Sequence, residues 1–105
     1  ESQRFLKMII DKVLPIFETQ ETKRISELYQ QFRKLEEYEI DAEWQNQGNY
    51  FYLFDINYQG KHYIIQTKYD VKKNLVQIEL RNKKIFDEVP INEFSQTIYL
   101  ILQEN

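Results

Sequence analysis

The chain reads as an α+β domain in which helices cover one face of an antiparallel sheet, and three observations point there. Residues 50 to 69 alternate apolar and polar side chains on either side of Gln59-Gly60, the pattern of an aromatic β-hairpin. Residues 22 to 38 and 90 to 103 repeat their apolar side chains at helical spacing instead. Between them, at Ile40, the period drops from 3.6 to two and stays there for most of the chain. A chain of 105 residues is long enough for one domain with one two-layered core, so a single domain over residues 1 to 105 is expected.

Taken in order, Phe5, Leu6, Ile9, Ile10, Val13, Leu14, Ile16 and Phe17 predict a first helix over residues 3 to 17. Pro15 ends or kinks it, because proline cannot donate the intrahelical hydrogen bond. Residues 19 to 22 form a corner with several candidate N-caps. Ile25, Leu28, Tyr29, Phe32 and Leu35 then give a second amphipathic helix over about residues 22 to 38. From Ile40, alternation with Asp41, Glu43 and Gln45 places Ile40, Ala42 and Trp44 on one dry face of a first strand. Gln47-Gly48-Asn49 is a turn.

The next hairpin fixes its own register. Closing at Gln59-Gly60 pairs Tyr58 with Lys61. Counting back pairs Ile56 with Tyr63, Phe54 with Ile65, Tyr52 with Thr67 and Tyr50 with Tyr69, nearly all apolar and on one face. The other face pairs Asn57 with His62, Asp55 with Ile64, Leu53 with Gln66 and Phe51 with Lys68. A one-residue slip would mix the two sets. Residues 70 to 74 turn the chain into a fourth strand, Leu75 to Arg81, with Val76, Ile78 and Leu80 inward. Ile85-Phe86 is a candidate for a short fifth strand. Ile91, Phe94, Ile98, Ile101 and Leu102 form the stripe of a closing helix over residues 90 to 103. The expected architecture is two N-terminal helices, a four-stranded meander and a C-terminal helix, all helices on one sheet face. In element order alone it is similar to cystatin-like and NTF2-like folds, and no family motif accompanies that likeness.

Composition narrows the chemistry. The chain has no cysteine, which removes disulfides, thiolate metal sites and a cysteine nucleophile. With only Gly48 and Gly60 there is no glycine-rich phosphate loop. His62 is the single histidine, and Ser2, Ser26 and Ser95 are the only serines, so a nucleophile with an adjacent base is not written in the sequence. His62 reads as a solvated strand histidine opposite Asn57. Glu36, Glu37, Glu39, Asp41 and Glu43 are dense but lack calcium-loop spacing, so no metal and no cofactor is expected. The longest apolar run, Ile98 to Leu102, is far short of the roughly 18 residues of a membrane span. No signal-peptide pattern opens the chain, and a cytoplasmic location is the expectation; the start at Glu1 rather than Met leaves upstream segments open.

Two surfaces stand out. Residues 36 to 60 hold six acidic and no basic side chains, whereas residues 61 to 84 hold seven basic and two acidic ones, although the net charge is only −3. The meander splits the basic block, leaving Lys61, Arg81, Lys83 and Lys84 at one end as a candidate nucleic-acid contact. The face away from the helices should carry Phe51, Leu53, Ile64 and Leu75 inside a polar rim, a pattern of protein interfaces. The leading expectation is therefore a non-enzymatic protein-interaction domain, self-associating as a dimer or binding another protein through that patch or an edge strand. The alternatives are nucleic-acid binding at the basic end, and a small-ligand pocket between helices and sheet lined by Trp44 and the inward tyrosines.

Overall fold

A computed structural model of the protein describes residues 19 to 105. The helix expected over residues 3 to 17 lies outside them. Helix α1 (Gln20–Phe32) is followed by β1 (Tyr38–Asn46), β2 (Asn49–Tyr58), β3 (Lys61–Asp70), β4 (Leu75–Leu80) and β5 (Lys83–Pro90). A 3₁₀ turn at Ile91–Glu93 leads into α2 (Phe94–Glu104). The strands form one antiparallel sheet in sequence order, so the α+β meander stands with five strands rather than four.

Hairpin chemistry builds the sheet. Three of its four connections are two-residue turns with positive φ at both central positions: Gln47-Gly48 (51° and 80°), Gln59-Gly60 (50° and 77°) and Arg81-Asn82 (53° and 64°). That left-handed geometry matches the right-handed twist of the flanking strands. The fourth connection is longer, and the Asp70 carboxylate accepts from the backbone N–H of Lys72 (3.0 Å) and Lys73 (3.3 Å). The β2–β3 register is the expected one at every pair from Tyr58 with Lys61 to Tyr50 with Tyr69.

Both helices pack on the face carrying Tyr52, Phe54, Ile56, Tyr63, Ile65, Tyr69, Val76, Ile78 and Leu80, all buried. Phe32 of α1 sits among Tyr52 and Phe54 (ring centroids 4.9 Å from each) and Phe94 of α2 (5.5 Å). The first two contacts are edge-to-face, the favoured arrangement of aromatic quadrupoles. Thr19 caps α1, its hydroxyl accepting from the Thr22 N–H at 3.1 Å. Arg24 ties that end to the β3–β4 loop through the carbonyls of Val71 and Lys72. The buried Gln31 joins the helices, its amide oxygen accepting from both the backbone N–H (3.0 Å) and the hydroxyl (2.9 Å) of Ser95.

Two boundaries and one register differ from expectation. Helix α1 stops at Phe32, because Lys34 and Leu35 turn back on Gln31 and Phe32 and Tyr38 already pairs with Ile56. Strand β5 is eight residues long rather than a short Ile85-Phe86 segment. Its pairing with β4 shifts register twice, which breaks the alternation that would have announced it. In β1 the register shifts between Ile40 and Ala42. Ile40 stays opposite inward Phe54, but Ala42 and Trp44 fall opposite outward Leu53 and Phe51. Trp44 therefore stands opposite outward Phe51 on the open face, at the β1 edge.

Candidate functional site

The sheet face opposite the helices is uncovered among the described residues, and register lays out its side chains in rows. One row runs Trp44, Phe51, Lys68, Gln77 across β1 to β4. The next runs Ala42, Leu53, Gln66, Glu79, Lys84 across all five strands. Beyond it lie Glu39, Asp55 and Ile64. Directly opposite residues in an antiparallel pair have Cβ atoms roughly 5 Å apart, so each row is a line of neighbouring side chains.

Trp44 and Phe51 stack with centroids 5.0 Å apart and planes 6° from parallel. Trp44 is 54% exposed and Ile64 is 44% exposed, both high for side chains of this size. Of the expected patch, Phe51 and Leu53 lie two apart on β2, and Ile64 lies diagonal to Leu53 on β3. Leu75 is set apart: it stands on β4 opposite Asp70, and Lys68 and Asp70 of β3 lie between it and Phe51. Ala42 and Trp44 extend the apolar area toward β1 instead, a contribution that the bulge hid from the sequence reading.

Beside the stack is a cleft of about 210 Å³ bordered by Trp44, Phe51, Gln66, Lys68, Gln77 and Glu79. The Gln77 amide donates to the Glu79 carboxylate at 3.3 Å, which holds both along one wall.

Both sheet edges are guarded. β1 carries Glu39, Asp41 and Glu43 and a bulge, while β5 carries Lys83, Lys84, two register shifts and Pro90. Charges, bulges and proline on an edge discourage strand addition.

The residues of the nucleic-acid alternative lie at one end of the sheet, as expected, but do not share a face. Lys61 sits at the β2–β3 turn and Arg81 in the β4–β5 turn. Lys83 stands opposite inward Leu80, and Lys84, opposite outward Glu79, pairs with Asp87 at 3.5 Å. His62 is half exposed and hydrogen-bonded to Asp55. No group of three or more metal-ligating side chains converges among the described residues.

A hollow between helices and sheet does exist, about 380 Å³ beside the β2–β3 tip, bordered by Glu36, Glu37, Ile56, Tyr58, Tyr99 and Leu102. Neither Trp44 nor the buried tyrosines line that one. A second hollow of about 250 Å³ at the β1 edge is bordered by Tyr29 of α1 together with Glu43, Trp44, Gln45, Tyr50 and Tyr52, the Trp44 and inward tyrosines expected of such a pocket. Burial and the hydrogen bond to Tyr29 hold the Tyr52 phenol well above its ordinary range. Burial also pushes Tyr69, which donates to the Asn74 side chain at 2.6 Å, up to about 12. The hydrogen bond to Glu21 raises Tyr50.

Comparison of the chain with protein families, curated proteins and solved structures finds no match. No described helix is long and apolar enough to cross a membrane.

Proposed function

We propose that this domain is a non-enzymatic protein-interaction module that contacts its partner through the open face of the sheet, a second copy of the chain being the first partner to test. The observation that carries the reading is the contiguous apolar area formed by Ala42, Trp44, Phe51, Leu53 and Ile64 on a face that neither described helix covers. An apolar centre inside a rim of Asp55, Gln66, Lys68 and Glu79 is the usual anatomy of an interface. The guarded edges favour face-to-face contact over strand addition.

The expected strength is modest. Burying one Leu, Ile or Phe side chain contributes about 1.5–3 kcal/mol. Three such residues offset association entropy and leave a dissociation constant on the order of micromolar. The test is sedimentation equilibrium of the native chain beside the double variant Leu53→Lys with Ile64→Lys. The native chain should gain mass with concentration and the variant should remain monomeric. Identical masses across the series rule out self-association through this face. If the variant also captures the same partner proteins as the native chain, the face is ordinary surface.

A further inference from the structure

We propose that the cleft beside the Trp44–Phe51 stack binds one ring of a neutral oligosaccharide. The inference goes beyond protein contact and shares only part of the same face with it.

The shape comes from register. Phe51 and Gln77 stand on either side of Lys68 in one row, and Leu53 and Glu79 on either side of Gln66 in the next. Two strand spacings separate the walls by about 10 Å. The stacked aromatic pair forms one wall, Gln77 and Glu79 the other, and Gln66 and Lys68 line the space between them. The cleft volume of about 210 Å³ is small and suits a single ring rather than a folded chain.

The chemistry chooses among flat ligands. Aromatic faces carry partial negative charge, and the axial C–H groups of a pyranose present partial positive charge to them. A sugar hydroxyl both donates and accepts. The cleft offers a carboxylate that only accepts, an ammonium that only donates, and two amides that do both. A proline-rich segment brings carbonyl acceptors but no N–H at proline, so Glu79 would lose water without gaining a donor. A nucleic-acid strand would stack equally well on the aromatics. Its phosphates would meet Glu39, Asp55 and Asp70 on the same face of a chain whose net charge is −3. Lys68 and Glu79, the only charged groups bordering the cleft, balance each other, which suits an uncharged ligand.

The experiment titrates the native chain with cellohexaose, maltohexaose and chitohexaose. Trp44 is the only tryptophan and borders both this cleft and the hollow beside Tyr29 and Tyr52, so its emission reports binding and Glu79→Gln assigns that binding to the cleft. At least one of the three should shift that emission saturably, with a dissociation constant of about 1 mM or tighter. By calorimetry, Trp44→Ala and Glu79→Gln should each weaken binding about tenfold or more, while Ile64→Lys leaves it unchanged. All three are surface substitutions, and unchanged far-ultraviolet circular dichroism checks that each variant is folded. Absence of binding to all three sugars up to about 10 mM overturns the proposal. So does binding that survives Trp44→Ala, or tighter binding of a polyproline peptide or a DNA oligonucleotide at the same cleft. Loss of the sugar site with self-association intact would leave the protein-contact reading standing. Sugar binding by a chain that stays monomeric would leave the sugar site standing and exclude self-association.

Discussion

Phe54→Ala is the sharpest perturbation of the core, and Phe51→Ala, three residues earlier on the same strand, is its natural control. Phe54 is fully buried. Its ring lies 4.9 Å from Phe32, 5.9 Å from Tyr38, 6.1 Å from Phe94 and 6.2 Å from Tyr52, centroid to centroid. Truncation removes all four contacts and leaves a cavity that α1, α2 and the sheet cannot close without moving together. Core Phe→Ala changes cost about 3–5 kcal/mol. With four aromatic neighbours, each worth about 0.5–1.5 kcal/mol beyond area burial, the upper half of that range is expected. Phe51 faces outward with a half-buried ring, and its truncation should cost about 1 kcal/mol, mostly the stack with Trp44. Urea unfolding followed by far-ultraviolet circular dichroism measures both. The midpoint should fall several-fold further for Phe54→Ala than for Phe51→Ala, at similar m-values. Equal losses, or a larger loss at Phe51, would refute the assignment of faces and the β2–β3 register behind it.

Gly60→Ala should destabilise by about 1–2 kcal/mol through backbone strain alone, because φ is +77° and an added Cβ meets no atom within 4 Å; the same urea assay reads it. Gln31→Ala should cost about 1–3 kcal/mol, since it leaves the buried N–H and hydroxyl of Ser95 without their acceptor, and Gln31→Glu would show whether an oxygen at that point suffices. Stability should fall with alkali. Tyr69 is held up to about 12 against a reference of 10.0, so its contribution is complete below pH 10 and is lost as pH rises through about 12. Tyr69→Phe should flatten part of that decline in the urea midpoint.

Much of the fold was legible because individual residues constrained it twice. In the β2–β3 hairpin the turn at Gln59-Gly60 and the sorting of apolar side chains gave the same register, and the structure has it. The stripe Ile91, Phe94, Ile98, Ile101, Leu102 is buried throughout, although its first turn is 3₁₀ rather than α. Trp44 shows where one constraint was not enough. The alternation of Ile40, Ala42 and Trp44 pointed inward, but the turn at Gln47-Gly48 pairs Trp44 with Phe51 and points it outward. The bulge between Ile40 and Ala42 reconciles the two, and closing the first hairpin by the rule used on the second would have found it. β5 was hidden by its own edge protection. Arg81-Asn82 makes a positive-φ turn without glycine, and two register shifts blur the period. Leu75 was rightly placed outward, yet facing one way is not the same as touching, and Lys68 and Asp70 separate it from the patch.

The account turns on whether the open face is where this protein meets its partner. The most direct measurement is a concentration series of amide chemical shifts on the native chain. The account predicts saturable changes at Trp44, Phe51, Leu53, Ile64 and their row neighbours, with α1, α2 and both sheet edges unaffected. Changes centred on the helices or on β5, or spectra independent of concentration, would contradict it.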